Sequence, residues 1–356
     1  MSRESRRAAR RAAKRRKNKA LIILLCCFFG IILIGFGTVF FTGYHILDLL
    51  RSPEDSEHLK PNPDLIAEDN QDIPDNLKGT FEKGDDDIAR NIAYGNTLSD
   101  PDVFTVILAG YDYGNHAKEN YYPRADATIL VSMNKKTQKI TMVSLSRAVY
   151  NAIPGVGNKR LNMAYAYGGG KLLMQTVEQN YKVSVDNYIA VGFESFAKIV
   201  DIVGGVNITL TQEEYNALYS DIIAAGISPH GAGAYRLNGE AALSYVRLRS
   251  IDSDRARTGR QRNFLTALLN EVKNISANQL IELINQILPE IETDLTKTQI
   301  ISEAINLPKY IKWPMSQDII PYKKHPLHNI GGTEYLLIDW NDNVYHLQKL
   351  LYPQKF

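Results

Sequence analysis

Hydrophobic and polar positions change rhythm three times along the 356-residue chain. Residues 20–44, "ALIILLCCFFGIILIGFGTVFFTGY", contain no charged residue. Residues 51–100 show weak apolar periodicity and are broken by prolines at 53, 61, 63 and 74, although "DDDIARNIAYGN" admits a short helix. From Val103 onward, short apolar runs alternate with longer amphipathic stretches. "VFTVILAG" reads as a buried strand, and "ATILVSM" and "KITMVSL" flank the polar turn "NKKTQ" as a β-hairpin. "GGGKLLMQTVEQNY" reads as a helix starting at its glycines, "YIAVGF" as a strand, "ESFAKIVDIVGG" as a helix closed by glycine, and "VNITLT" as a further strand. "LNGEAALSYVRLRS", "GRQRNFLTALLNEVKNI", "SANQLIELINQIL" and "TKTQIISEAINLPKYI" add helices. This alternation predicts an α/β fold, an α/β/α sandwich around a central mixed sheet.

Charge sharpens the first boundary. The net charge of +2 says little, but residues 1–19 carry ten Lys/Arg against the single acid Glu4. The rest of the chain holds 31 basic and 38 acidic residues, a net of −7. Residues 20–44, as a helix, rise roughly 37 Å, enough to cross a hydrocarbon core of about 30 Å. The basic flank before the span predicts an N-terminus in the cytoplasm and everything after Tyr44 outside. A cleaved signal peptide is the rival reading, but its small-x-small site is absent. The expected organisation is a basic cytoplasmic arm (1–19), one transmembrane helix (20–44), an acidic extracytoplasmic stalk (45–100) and a catalytic domain (101–356). Acids outnumber bases 13 to 5 in residues 51–100, which suits a solvated spacer. Both cysteines, Cys26 and Cys27, lie in the span, so the outer part has neither disulfides nor a thiolate metal site.

The candidate chemistry is a set of arginines and aspartates near the ends of the expected strands. "LAGYDYG" puts Asp112 past the first strand, where α/β sheets place ligands. "PRADAT" puts Arg124, Asp126 and Thr128 at i, i+2 and i+4, one face of an extended chain. That arrangement is either a surface ion pair or one wall of a site for a charged ligand. "VSLSRAVY" adds Arg147, "SYVRLRS" adds Arg247 and Arg249, and "DSDRARTGRQR" adds Arg257, Arg260, Gln261 and Arg262. If "VRLR" is extended its arginines share a face; if helical they diverge. Guanidinium forks bind phosphate oxygens bidentately, and paired carboxylates hold a Mg²⁺ that keeps most of its waters. Such a set suits phosphoryl transfer, in which positioning and charge stabilisation do most of the work. The chain has no GxxxxGK[ST], HExxH or GxSxG, its seven histidines are scattered, and "GGGK" at 168–171 fits a helix start better than a phosphate cradle.

These blocks, from "ILAGYD" through "PRADATILVSMNKKTQKITMVSLSR", "NKRLNMAYAYGG", "YIAVGFESFAKIVDIVGGVNI" and "LNGEAALSYVRLR" to "SDRARTGRQR", resemble the LytR-CpsA-Psr family over about residues 103–275. The resemblance implies a membrane-anchored extracytoplasmic phosphotransferase of Gram-positive-type envelopes. It would move an anionic glycopolymer, such as teichoic acid or a capsular polysaccharide, from a polyprenyl pyrophosphate carrier to peptidoglycan. By position it assigns Asp112 and Asp126 to Mg²⁺, and Arg124, Arg147, Arg247 and Arg249 to the pyrophosphate. Arg257, Arg260 and Gln261 form a supporting block, and Arg124, Arg147 and Asp126 are the expected catalytic residues. It also implies an apolar lipid channel, with "LLMQTV" and "FAKIVDIV" as candidate walls. One departure stands out: the family usually has an aspartate directly after the arginine of "SLSR", and here it is Ala148. A carrier-lipid or wall-polymer binding protein without efficient transfer is the alternative. A DNA-binding regulator is disfavoured, because residues 1–19 are too short for a folded module and the large domain would lie across the membrane.

Overall fold

The computed structural model describes residues 60–61, 63–69, 72–112, 122–272, 286, 288–296, 299, 309–310 and 312–356. The expected transmembrane helix and the patterns "SANQLIELINQIL" and "TKTQIISEAINLPKYI" lie largely or wholly outside the described residues. Among the described residues no helix is long and apolar enough to cross a membrane. The principal elements begin with α1 (Pro63–Asp69), α2 (Asp75–Ala93), β1 (Val103–Asp112), β2 (Arg124–Asn134), β3 (Lys139–Leu145), β4 (Tyr150–Ile153), β5 (Gly157–Arg160), α3 (Leu161–Tyr181) and β6 (Asn187–Gly192). Next come α4 (Phe193–Ile202), β7 (Val206–Leu210), α5 (Gln212–Ala224), β8 (Gly233–Leu237), α6 (Gly239–Arg247) and α7 (Asp254–Val272). The chain closes with β9 (Met315–Ile320), β10 (Leu327–Ile330), β11 (Thr333–Leu336) and α8 (Trp340–Leu351). Two compact units result, one of Ser52–Gly192 with Trp313–Phe356 and one containing Phe193–Lys312.

The first unit is built on a mixed sheet in which five of its strands run in the order β9-β3-β2-β1-β6. The hairpin forms as expected, with Asn134 opposite Lys139. β1 pairs antiparallel with β2 and parallel with β6, and β9 pairs parallel with β3. Four strands therefore share one direction, and β2 alone opposes them. The C-terminal ends of β1, β3 and β6 fall at the same end of the sheet as the start of β2. One face is covered by α3, with α2 and α8 packed against that helix. Leu173 and Val177 of α3 are wholly buried in this core, so the "LLMQTV" stripe is packing.

The expectation of a solvated stalk across 45–100 is corrected in its second half. Residues 75–93 form a 19-residue helix that buries Phe81, Gly84, Ile88 and Asn91. Leu77, Phe81, Gly84 and Ile88 recur at helical spacing, but a glycine and three consecutive aspartates dilute the stripe. Phe81 meets Tyr150 and Tyr335 edge-on, at centroid distances of 5.2 and 5.6 Å. Each such aromatic contact adds about 0.5–1.5 kcal/mol beyond burial.

In the second unit α4 ends at Gly204 and Gly205, with φ of 79° and 90°, which only glycine adopts readily. β7 and β8 pair antiparallel, Val206 opposite Leu237. α5 starts with a capping box: Thr211 accepts from the Glu214 amide, and the Glu214 carboxylate accepts from the Thr211 amide. The expected helices "LNGEAALSYVRLRS" and "GRQRNFLTALLNEVKNI" are present as α6 and α7.

Candidate functional site

In the first unit, the end of the sheet where β1 and β3 stop and β2 starts gathers four of the expected residues. Asp112 is the last residue of β1 and lies directly opposite Arg124, the first of β2. Arg147 follows β3, and its Nη1 donates to Asp126 Oδ1 at 2.6 Å. The backbone around Arg147 is held on three sides: Ser146 N–H donates to the Ile320 carbonyl, Asn162 N–H to the Arg147 carbonyl and Leu336 N–H to the Ala148 carbonyl. These bonds fix where the guanidinium starts.

The register between β1 and β2 corrects one expectation. Gly110 pairs with Ala127 and Tyr111 with Ala125, so Asp126 is the extra residue of a β-bulge. Alternation restarts after it. Ala125 shares a face with Tyr111, and Thr128 with Ala109; Ala109, Tyr111 and Ala125 all belong to one core cluster. Thr128 therefore turns inward, away from the face of Arg124, and its buried hydroxyl has no hydrogen-bond partner. The bulge frees the Asp126 carboxylate from the strand's regular alternation, so that it meets Arg147.

Ala148 packs against the same apolar cluster. The partner of Arg147 in this chain comes from Asp126 instead of from position 148. Behind the charged edge is a tyrosine cluster that the sequence reading missed. Tyr111 stacks on Tyr165 at 5.4 Å, and Tyr122 meets Tyr165 edge-on at 6.1 Å. The glycine run explains itself here. Gly168 and Gly169 leave helical geometry inside α3, Gly169 at φ 62°, and a Cβ on Gly170 would sit 2.2 Å from the Tyr188 ring. "GGGK" interrupts one helix and admits tyrosine rings; the helix restarts after it, and residues 161–167 before it are helical as well.

In the second unit the remaining expected residues surround the turn from α6 to α7. Arg247 is the last residue of α6 and Arg249 lies beyond it, so "VRLR" is neither one strand nor one helix turn. Both are exposed, and the Arg247 guanidinium sits 4.6 Å over the Phe193 ring. Arg257 and Arg260 are each 4% exposed. Arg260 donates to both Asp252 oxygens at 2.6 and 2.7 Å and to the Leu248 carbonyl at 2.6 Å. Glu214 of the capping box is 3.6 Å away. Burial alone would lower the Arg260 pKa, but Asp252 reverses the shift, and the Arg260 hydrogen bonds hold the Asp252 carboxyl below its usual range. Arg257 Nη2 is 2.7 Å from Asp254 Oδ1, close but poorly aligned for a hydrogen bond, and Arg249 Nε is 3.7 Å from the same oxygen. Gln261 Nε2 reaches the Val246 carbonyl only at 3.5 Å, and its Oε1 is buried without a partner.

The structure thus brings Asp112, Arg124, Asp126 and Arg147 to one sheet end, and Arg247, Arg249, Arg257, Arg260 and Gln261 to one turn in the other unit. Asp252, Asp254 and Glu214 were missed as partners. The signal for Asp252 and Asp254 was the acids interleaved in "SIDSDRARTGR"; Glu214 lies far off, in "TQEEY". Among the described residues no group of three His, Cys, Asp or Glu gathers as metal ligands. Asp112 and Asp126, two carboxylates at one sheet end, are of the ligand type that Mg²⁺ takes alongside its waters.

Comparison with known proteins places the chain. The polyisoprenyl-teichoic acid–peptidoglycan teichoic acid transferase TagU of Enterococcus faecalis is 31% identical over 207 residues, 56% of this chain and 64% of that protein. The match therefore spans less than two thirds of that relative. The protein of the same name from Bacillus subtilis is 30% identical over 242 residues, 67% of this chain and 71% of that protein. YwtF (TagT) of Bacillus subtilis, solved with bound octaprenyl pyrophosphate lipid, aligns with a TM-score of 0.54 at 26% identity, over 71% of this chain and 93% of that chain. The LytR_cpsA_psr family model matches residues 75–349, and the chain belongs to that family.

Proposed function

We propose that the protein is a phosphotransferase that attaches a polyprenyl-pyrophosphate-linked anionic glycopolymer to peptidoglycan. The observation that carries this reading is the sheet end where Asp126 holds Arg147 at 2.6 Å beside the Asp112–Arg124 pair. The names of the relatives and the lipid in YwtF supply the substrate class. Arg124 and Arg147 would bind diphosphate oxygens through paired N–H donors, and Asp126 would keep the Arg147 fork aimed. Asp112 and Asp126 would hold a Mg²⁺, which when bound neutralises charge developing on the transferred phosphoryl group. The acceptor hydroxyl forms a new P–O bond as the bond to the bridging oxygen breaks, and polyprenyl phosphate leaves. The hydroxyl proton would pass to a neighbouring carboxylate, Asp112 or Asp126, since position 148 is alanine in this chain.

Arg247 and Arg249, exposed at their turn, are proposed to bind substrate phosphate. Arg257, Arg260 and Gln261 support that turn. Residues 20–44 are proposed as the membrane anchor with residues 1–19 in the cytoplasm, supported by the charge-free run and its basic flank. Ala148 favours a second reading, a carrier-lipid or wall-polymer binding protein without turnover. The test is to incubate the purified full chain with Mg²⁺, a polyprenyl-pyrophosphate-linked glycan and a peptidoglycan glycan, and to analyse products by mass spectrometry. A phosphodiester-linked conjugate is expected. Retention of the lipid with no conjugate would move the assignment to the binding reading.

A further inference from the structure

The first unit contains a cavity of about 660 Å³ between α2 and the segment 337–341 that leads into α8, and its lining includes none of Asp112, Arg124, Asp126 and Arg147. That size is ordinary for a small-ligand site, which spans about 300–1,000 Å³. Its charges cancel. Lys83 and Arg90 both pair with Asp87, each at 2.6 Å, and Asp339 balances the fourth charge. A phosphate or other anion has no surplus cation to meet there. Lys83, Asp87, Arg90, Asn91, Asp339 and Asn341 are in its lining, so an acyl or prenyl chain would meet charged and amide groups and not a dry channel.

Aromatic surface lines the same space. Tyr150 and Trp340 lie in the wall, mostly buried, and Tyr94 stands at the rim with 75% of its surface exposed. His325 also lines it, with a buried Nε2 that has no hydrogen-bond partner. Burial pushes that imidazole toward its neutral form, in which one ring nitrogen donates and the other accepts. Flat aromatic rings, balanced charge and neutral donor–acceptor groups match sugar rings, whose C–H faces stack on aromatics while their hydroxyls form hydrogen bonds.

We propose that this cavity binds a short uncharged stretch of glycan. On the transferase reading, that ligand is the acceptor glycan chain, held by residues other than the charged ones at the sheet end.

The test titrates the purified full chain with chitotetraose, a neutral N-acetylglucosamine oligomer, by calorimetry. Hyaluronan oligomers serve as the anionic counterpart and a polyprenyl phosphate as the lipid one. Saturable chitotetraose binding is expected, weakened about tenfold by Tyr94→Ala and by Asn341→Ala, the loss of one good contact each. Both positions are exposed, so neither change threatens folding. Tyr345→Ala, exposed and outside the cavity lining, is expected to bind as wild type does. Absence of saturable binding, undiminished binding by Tyr94→Ala, or a preference for hyaluronan or lipid would overturn the proposal. Chitotetraose binding by a wild-type chain that forms no phosphodiester would leave the cavity assignment standing and remove the transferase one.

Discussion

The two units each contain an aspartate–arginine pair closed at 2.6 Å, and the pairs do different things. Asp126 and Arg147 meet at the end of a sheet, with side chains 29% and 23% exposed. Arg260 reaches both oxygens of Asp252, and its side chain is only 5% exposed. The first pair sits on a bulge, within reach of a ligand. The second is closed off, its guanidinium also taken by the Leu248 carbonyl. The same pairing of residue types is thus open to solvent in one place and closed in the other, and on the proposed function only the first is placed to act on a ligand.

Removing one partner from each pair separates the roles. Asp252→Ala takes two hydrogen bonds from a buried guanidinium that Glu214, 3.6 Å away, compensates only in part, and is expected to destabilise the fold by about 1.5–3 kcal/mol in urea unfolding. Asp126→Ala is expected to lower phosphodiester formation about 100- to 1,000-fold, the usual loss for a group that orients transition-state charge stabilisation. Its stability should stay within about 1 kcal/mol of wild type, as for half-exposed pairs. If the two variants fail in the same way, the distinction between them is wrong.

Acid sharpens the contrast. The Asp252 pKa is depressed below 3.8 in the folded protein, so its stabilisation is complete above that value. It is lost as pH falls through the lower folded value. Unfolding followed from pH 5 downward should show wild type losing more stability than Asp252→Asn does. Equal slopes would mean that the clamp contributes nothing.

The smallest effect tests the bulge. Thr128 was expected beside Arg124, but it faces the core with an unpartnered hydroxyl. Thr128→Val should gain about 1 kcal/mol and leave transfer unchanged. A loss of activity would put Thr128 back on the site face.

What was legible in the sequence follows from what periodicity can encode. The hairpin from Arg124 to Leu145, the glycine-closed α4 and the arginine-bearing strand ends were readable, because strand alternation and glycine stops are local signals. Of α2 only the second half was readable, as the short helix in "DDDIARNIAYGN"; its first half was not, since the apolar stripe passes through Gly84 beside "DDD". The bulge at Asp126 escaped because a regular strand was assumed, and a single inserted residue flips every later side chain. The Asp252–Arg260 clamp was hidden for another reason. Eight residues separate its partners, and nothing in the composition distinguishes an arginine held by an acid from one offered to a ligand.

The central claim is that the charged end of the sheet carries out phosphoryl transfer. Its most direct test is the single-turnover rate of phosphodiester formation by Arg124→Ala, with lipid-linked glycan bound and acceptor in excess. The account predicts a rate at least about 100-fold below wild type. A wild-type rate in that variant would contradict it.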